Sequence, residues 1–178
     1  MPVTGNPPLP SFPLTLATAY KRWHGWRDAV IGKLAPSKRT RICAHARRSI
    51  PYAGRMHYTE GPGRSELFHR PPDKYEQASS DCSQFVSAIA HWSGVKTVTD
   101  EDWTGTLYEK GKQLERPVPG CIVIFGAKPG VHTAVMTTRT MTLGFGDQAG
   151  PQRVSLAGMV AYFTQQGHAG HVFRDLTT

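Results

Sequence analysis

The sequence lacks any apolar run of the roughly 18 residues that a membrane-spanning helix requires. It also lacks internal repeats and low-complexity segments, which excludes repeat architectures and a long disordered tail. The N-terminal stretch MPVTGNPPLPSFPL has no basic region ahead of its apolar residues, so we expect no secretory signal. These absences predict a globular protein without stable membrane insertion.

Cysteine is scarce. The three cysteines, Cys43, Cys82 and Cys121, are an odd number, and none belongs to a CxxC pair. We therefore expect neither a disulfide framework nor a zinc site. At least one thiol must be free, and we expect Cys43 and Cys121 to be inert core residues.

Acidic residues are few relative to basic ones, with 13 Asp and Glu against 21 Lys and Arg, which gives a net charge of +8. A surplus of this size favours an anionic partner such as nucleic acid, an acidic membrane surface or a cell-wall polymer, and it also fits a solvated basic surface. Nucleic acid ranks last among these partners, because the sequence contains no base-reading motif and no basic stripe interleaved with aromatics.

The 178 residues suffice for one domain with a substantial core. Residues 1–13 are proline-rich and predict an extended arm, and residues 14–178 predict a single domain. Apolar spacing predicts a helix over 14–34 and another over SKRTRICAHARRSI, which Ser37 would cap. This second helix would bury Ile42, Ala46 and Ile50. Its other face is the best candidate for an anion contact and carries Lys38, Arg39, Arg41, Arg47 and Arg48.

A long Gly- and Pro-rich loop, Gly54 to Gln77, leads to a helix within SSDCSQFVSAIAHW. We expect this helix to begin at Ser79, Ser80 or Asp81 and to end at Gly94. Its buried side would consist of Phe85, Val86, Ile89 and Trp92. A short helix is expected near 102–111.

The C-terminal part changes character. CIVIFGA and VHTAVMTTR, joined by KPG, predict a β-hairpin, and TMTLGFGDQ predicts a third strand. SLAGMVAYFTQQG predicts a short helix and HVFRDL a last strand. Helices followed by an antiparallel sheet indicate an α+β fold.

Cys82 and His132 are the residues on which a chemical function could depend. Cys82 lies at a predicted helix N-terminus, where unpaired N–H groups and the helix dipole stabilise a thiolate. His132, on the second strand of the hairpin, is a candidate base, and Asp147 or Gln148 could orient its imidazole. The alternative is a buried, inert cysteine, since free cysteines are common in cores.

Four stretches, RRSIPYAG, SSDCSQFVSAIAHWSG, PVPGCIVIFG and VHTAVMT, resemble in order and spacing the NlpC-type papain-like cysteine peptidases that act on peptidoglycan. The resemblance covers roughly residues 40–150. The closing GDQAGP is similar to the end of peptidase domains in endolysins of phages that infect actinobacteria. The resemblance implies a papain-like α+β fold, with N-terminal helices packed on a small antiparallel sheet.

The resemblance also implies roles for particular residues. Cys82 would be the nucleophile and His132 the general base. Asp81 would contact a free amine of the substrate, although an N-cap role is equally compatible, and both could hold. Tyr52 matches a tyrosine near the nucleophile, or else a packed aromatic. Ser83 matches the serine after the cysteine.

Two positions depart from the family pattern. Cys121 stands where an aspartate is usual. Phe145 stands in the slot where relatives often place a histidine beside the base, and phenylalanine cannot hydrogen-bond an imidazole. We expect Asp147 to take that role, with Gln148 or a Cys–His dyad as alternatives.

The resemblance thus predicts a phage endolysin-type peptidoglycan hydrolase that cleaves an amide bond in the stem peptide or cross-bridge. No metal or cofactor is implied, and we expect a monomer whose partners are peptidoglycan and anionic wall polymers. The protein would wait in the host cytoplasm until a holin opens the membrane, or form part of a virion. The alternatives are an N-acetylmuramoyl-L-alanine amidase on the same fold and a non-catalytic wall-binding or virion structural module.

Overall fold

The computed structural model describes residues 36–72, 74–146 and 150–178. The proline-rich arm over 1–13 and the helix predicted over 14–34 lie outside these residues. In the described part of the chain, no helix is long and apolar enough to cross a bilayer.

The described helices are α1 (Lys38–Ser49), α2 (Cys82–Trp92), α3 (Thr104–Glu109) and α4 (Leu156–Gln165). Ser37 caps α1 as predicted, because its hydroxyl accepts the backbone N–H of Thr40 at 3.2 Å. Two 3₁₀ turns, Ile50–Tyr52 and Glu66–His69, lie between α1 and α2. The helices predicted over 37–50, 79–94, 102–111 and 155–167 are therefore confirmed.

The described strands are β1 (His57–Tyr58), β2 (Ser79–Ser80), β3 (Lys112–Leu114), β4 (Ile122–Phe125), β5 (His132–Met136), β6 (Met141–Phe145), β7 (Pro151–Ser155) and β8 (His171–Asp175). Strands β1 and β2 form a short parallel pair. The other six form one antiparallel sheet in the order β3-β8-β4-β5-β6-β7. The predicted hairpin is β4–β5, and the fold is α+β as expected.

The sheet has a hydrophobic core on each face, because successive strand residues point to opposite sides. One core joins β-strand residues such as Val135 and Leu143 to α1 and α2. The other joins Ala134 and Met136 to the apolar side of α4. The side chains that α4 contributes to this second core are Leu156, Met159, Val160 and Phe163.

Helix α2 is the most buried helix. Its side chains Phe85, Val86 and Ile89 are all inaccessible to solvent. Each contributes about 1.5–3 kcal/mol relative to an exposed position. This burial holds the helix, and therefore its N-terminus, against β5 and β6.

Two apolar residues are less buried than the periodicity predicts. Ile50 is 41% exposed because α1 ends at Ser49 and Ile50 already belongs to the 3₁₀ turn that follows. Trp92 is 36% exposed because it is the last residue of α2.

Candidate active site

Cys82, the candidate nucleophile, lies in the first turn of α2. Asp81 is the N-cap, and Cys82 is the first helical residue. The Asp81 carboxylate accepts the backbone N–H of Gln84 at 2.7 Å and the hydroxyl of Ser83 at 2.8 Å. The first N–H groups of a helix have no acceptor within the helix, so this turn presents partial positive charge beside the thiol.

The Cys82 thiol lies between α2, α3 and the sheet. Its Sγ is 3.9 Å from Oγ1 of Thr104, and it accepts backbone N–H groups of Thr133 and Ser83. Only 6% of the residue is exposed. Burial raises the pKa of the Cys82 thiol, while the hydrogen bonds from Thr133, Thr104 and Ser83 act in the opposite direction.

His132 begins β5, one residue before the backbone N–H that contacts the thiol. Its ring stacks on Phe163 of α4 at 5.3 Å between centroids and lies 6.2 Å from Phe125. The ring also reaches over β6, because a Cβ built on Gly144 would lie 3.3 Å from Nε2. The Cys82 thiol thus lies beside the backbone of Thr133, the residue after His132. The ring of His132 itself lies on the other face of the sheet, where it stacks on α4.

An open cleft of about 460 Å³ lies beside His132. This volume is within the range of small-molecule and peptide-end binding sites. Glu60 is the one carboxylate among its described lining residues. The lining comprises Tyr58, Glu60, Val131, His132, Thr142, Gly144, Gly146, Gln152, Val154, Gly158, Met159, Tyr162 and Phe163.

No family model matches the chain, and no curated protein matches it.

Tyr58 was missed from sequence because it lies in the long loop, where no periodicity marks it. Its hydroxyl donates to Glu60 at 2.9 Å, and its ring packs against Phe145 at 5.8 Å. Burial raises the pKa of the Tyr58 hydroxyl, and the charge of Cys82 raises it further. Tyr58 thus lies close to the thiol and also lines the cleft.

Tyr52, the tyrosine that the resemblance implicated, ends the first 3₁₀ turn. Its ring packs edge-on against Tyr75 at 6.4 Å, and the guanidinium of Arg55 lies 5.5 Å from its centre. These contacts are those of a packed aromatic, and a role of Tyr52 near the nucleophile stays a prediction.

Asp81 and Ser83 have structural roles. Asp81 is 5% exposed and Ser83 is 2% exposed. Besides capping α2, the Asp81 carboxylate forms an ion pair with Arg64 at 3.2 Å. The N-cap role of Asp81 is therefore confirmed, and its carboxylate has three partners. Its contact with a substrate amine stays a prediction.

Arg64 is a second residue that the sequence did not indicate. Besides its ion pair with Asp81, it donates to the backbone carbonyl of Asp102 at 2.6 Å. The same carbonyl accepts the side-chain amide of Gln84. Arg64 therefore fastens the long loop to the first turn of α2 and to the segment before α3.

The third catalytic position, for which the sequence predicts Asp147, stays a prediction. Asp147 and Gln148 lie outside the described residues. Phe145 was expected in the slot beside the base, but it points to the opposite face of the sheet and stacks on Phe85 of α2 at 5.8 Å. The register explains this: Ala134 pairs with Gly144, so Gly144 and not Phe145 shares the face of His132.

The other two cysteines are buried, as predicted for core residues. Burial raises the pKa of Cys121 to about 11 and also raises that of Cys43. Cys121 lies in the turn before β4, where its N–H bonds the carbonyl of Val118 at 3.1 Å.

Most of the arginines on the basic face of α1 bond to other parts of the fold. Arg39 pairs with Asp175 of β8, and Arg47 donates to the carbonyl of Thr137 at 3.1 Å. Arg41 donates to the carbonyls of Pro36 and Ser93. Lys38, Arg47 and Arg48 are the exposed basic residues of this face, and Arg47 is held by its bond to Thr137.

Proposed function

We propose that this protein is a cysteine hydrolase that cleaves an amide bond in the stem peptide or cross-bridge of bacterial peptidoglycan. One observation carries the proposal: the thiol at the first turn of α2 contacts the peptide group that follows His132 on β5. Thiol catalysis requires a nucleophile and a base, and the N-terminus of α2 and the start of β5 supply these two groups. Peptidoglycan as substrate rests on the sequence resemblance.

The proposed reaction has two halves. The Cys82 thiol gives its proton to His132, and the sulfur attacks the scissile carbonyl carbon. The developing oxyanion is stabilised by the backbone N–H of Cys82 at the helix N-terminus. The C–N bond then breaks, the leaving amine takes the proton from the imidazolium, and a thioester remains on the enzyme.

Water completes the cycle. His132 removes a proton from a water molecule, which attacks the thioester carbonyl and releases the sulfur. The thiol regains its proton from the imidazolium. The substrate enters from the cleft that His132 and Tyr58 line. In the free protein the raised pKa of Cys82 keeps the thiol protonated, so the proton transfer to His132 accompanies attack.

A papain-like fold is part of the same proposal. It is supported by the order of elements, in which the cysteine-bearing helix precedes an antiparallel sheet that carries the histidine. Anionic wall polymers would meet Lys38 and Arg48 on α1. Release from a host cytoplasm through a holin lesion, or a place in a virion, follows from the likeness to phage endolysins.

The test is release of amines from purified actinobacterial peptidoglycan. We expect release by the parent protein and by Cys43→Ala, a matched buried cysteine, and loss of at least about 10³-fold with Cys82→Ala or His132→Ala. Mass spectrometry of the fragments then identifies the bond and separates an endopeptidase from an amidase. Equal release by the parent and Cys82→Ala would refute the mechanism. Wall binding with no release by any variant would instead indicate a non-catalytic binding module.

A further inference from the structure

The sulfur of Cys82 has hydrogen-bond donors on three sides, and each donor belongs to a different element. The backbone N–H groups of Ser83 on α2 and of Thr133 on β5 bond to it. On the third side, Oγ1 of Thr104, the first residue of α3, lies 3.9 Å from Sγ. A neutral thiol is a weak acceptor, whereas a thiolate forms charge-assisted hydrogen bonds. These donors therefore suit an anionic sulfur better than a neutral one.

The hydroxyl of Thr104 has the Cys82 sulfur as its partner. Thr104 is 8% exposed, and Sγ is the only atom to which its side chain bonds within the described part of the chain. Buried hydroxyls are nearly always hydrogen-bonded, so the sulfur is the group that satisfies this one. The next threonine of α3 differs, because the hydroxyl of Thr106 donates to the carboxylate of Asp102 at 2.9 Å.

The turn between β4 and β5 fixes the direction of this hydroxyl. The methyl group of Thr104 lies against Gly130, where an added Cβ would be only 2.9 Å from Cγ2. Gly130 also has a φ of +86°, a conformation that favours glycine. The χ1 angle of a β-branched residue is stiff, so the packing of this methyl group holds Oγ1 towards Cys82. The glycine of the KPG turn thus supplies the space that orients Thr104.

The charges around the sulfur show what this bond opposes. Burial raises the pKa of the Cys82 thiol most, and the carboxylate of Asp81 raises it further. The bonds from Thr133, Thr104 and Ser83 lower the pKa. Two of these three donors are backbone groups that every residue type would supply. The hydroxyl of Thr104 is the donor that depends on a side chain, so a substitution can remove it.

Accepting the proposed role of Cys82 as the nucleophile, we propose that Thr104 is a further catalytic residue, whose hydroxyl donates a hydrogen bond to the Cys82 sulfur when that sulfur is negatively charged. This happens twice in the cycle. In the first half, the S–H proton leaves and the sulfur attacks the carbonyl carbon. In the second half, water attacks the thioester, the C–S bond breaks and its electron pair returns to the sulfur. The bond to the charged sulfur is stronger than the bond to the thiol or thioester, so it lowers both barriers.

The experiment measures the ionisation of Cys82 without a substrate. Cysteine labelled with ¹³C at Cβ gives an NMR signal that shifts when the thiol ionises, and Cys82→Ser identifies the signal of Cys82. Thr104→Val keeps the shape of the side chain and removes the hydroxyl, so the pH at which Cys82 ionises should rise by about 1 pH unit. Thr104→Ser keeps the hydroxyl and should raise it much less. Thr137→Val is the control, because this buried hydroxyl bonds to the carbonyl of Met141, and Cys82 should ionise as in the parent.

Amine release from peptidoglycan provides the second readout. Thr104→Val should lower kcat about tenfold with little change in KM, since the lost bond is made to the reacting sulfur and not to bound substrate. If valine prevents folding, the comparison of Thr104→Ala with Thr104→Ser isolates the hydroxyl instead.

The two readouts fail separately. If the parent releases no amines, the proposed function fails, while the titration still decides the role of the hydroxyl. The inference is overturned if Cys82 ionises at the same pH with and without the Thr104 hydroxyl. It is also overturned if Cys82 of the parent does not ionise before the protein unfolds, because the site would then not stabilise a thiolate.

Discussion

Replacing Asp81 by alanine should destabilise the protein by about 2–4 kcal/mol. The side chain caps α2 through Gln84 and pairs with Arg64, and only 7% of it is exposed. Loss of an N-cap costs about 1 kcal/mol. Loss of a charged, largely buried hydrogen bond adds about 1.5–3 kcal/mol, reduced here because 29% of the Arg64 side chain remains exposed.

Urea unfolding followed by circular dichroism measures this difference at constant m-value. Asp81→Asn keeps an oxygen for the N–H of Gln84 but removes the charge, so it should lose about half as much. Asp100→Ala is the control, since its carboxylate forms an exposed pair with His69 worth at most about 1 kcal/mol. A loss below about 0.5 kcal/mol in Asp81→Ala would refute the reasoning. Normal stability with lost hydrolysis in Asp81→Asn would instead assign the carboxylate to substrate binding.

Three further predictions concern stability. Arg39→Ala should cost about 1–3 kcal/mol, because it leaves the buried Asp175 with only its bonds from Thr177. Burial raises the pKa of Asp175, but hydrogen bonds from Arg39 and Thr177 outweigh it and hold the pKa below 3.8, so this stability is present above pH 3.8 and is lost as pH falls below it. Thermal melts from pH 2 to 7 should therefore show a flatter acid limb in Arg39→Ala, and an unchanged limb would contradict this. Burial raises the pKa of the Cys121 thiol to about 11, so the stability that the protonated thiol contributes is present below pH 9.0 and is lost as pH rises above it. The melting temperature of Cys121→Ala should therefore fall less steeply with rising alkaline pH than that of the parent. Phe145→Ala should cost about 3–5 kcal/mol in urea unfolding, since its buried ring packs on α2; a loss under about 1 kcal/mol would mean that the site collapses.

Local patterns in the sequence predicted the elements that carry the candidate site. Asp81 was one of three possible starts of α2, and the cap geometry selects it. The hairpin β4–β5 followed from apolar runs around a KPG turn. These features depend on neighbours in the chain, so a single sequence contains enough information for them.

Features that depend on distant partners were not predictable. Strand β7 was missed because Pro151–Ser155 is short and mostly polar, and only its pairing with β6 makes it a strand. The side of the sheet to which Phe145 points depends on register, which the sequence does not reveal. The basic face of α1 was correctly located, but its arginines bond to segments that are more than 50 positions away or at the other end of the chain.

The bonds of Arg64 have a consequence for the long loop. Loops usually tolerate insertions and cuts, because their backbone contributes little to the fold. In this loop the guanidinium of Arg64 bonds both to the N-cap of α2 and to the segment before α3, so the loop stabilises the position of these two elements as well as connecting them. Insertions on either side of residue 64 should be tolerated. Cleavage of the chain at residue 64 should instead make the first turn of α2, and with it the Cys82 thiol, more mobile.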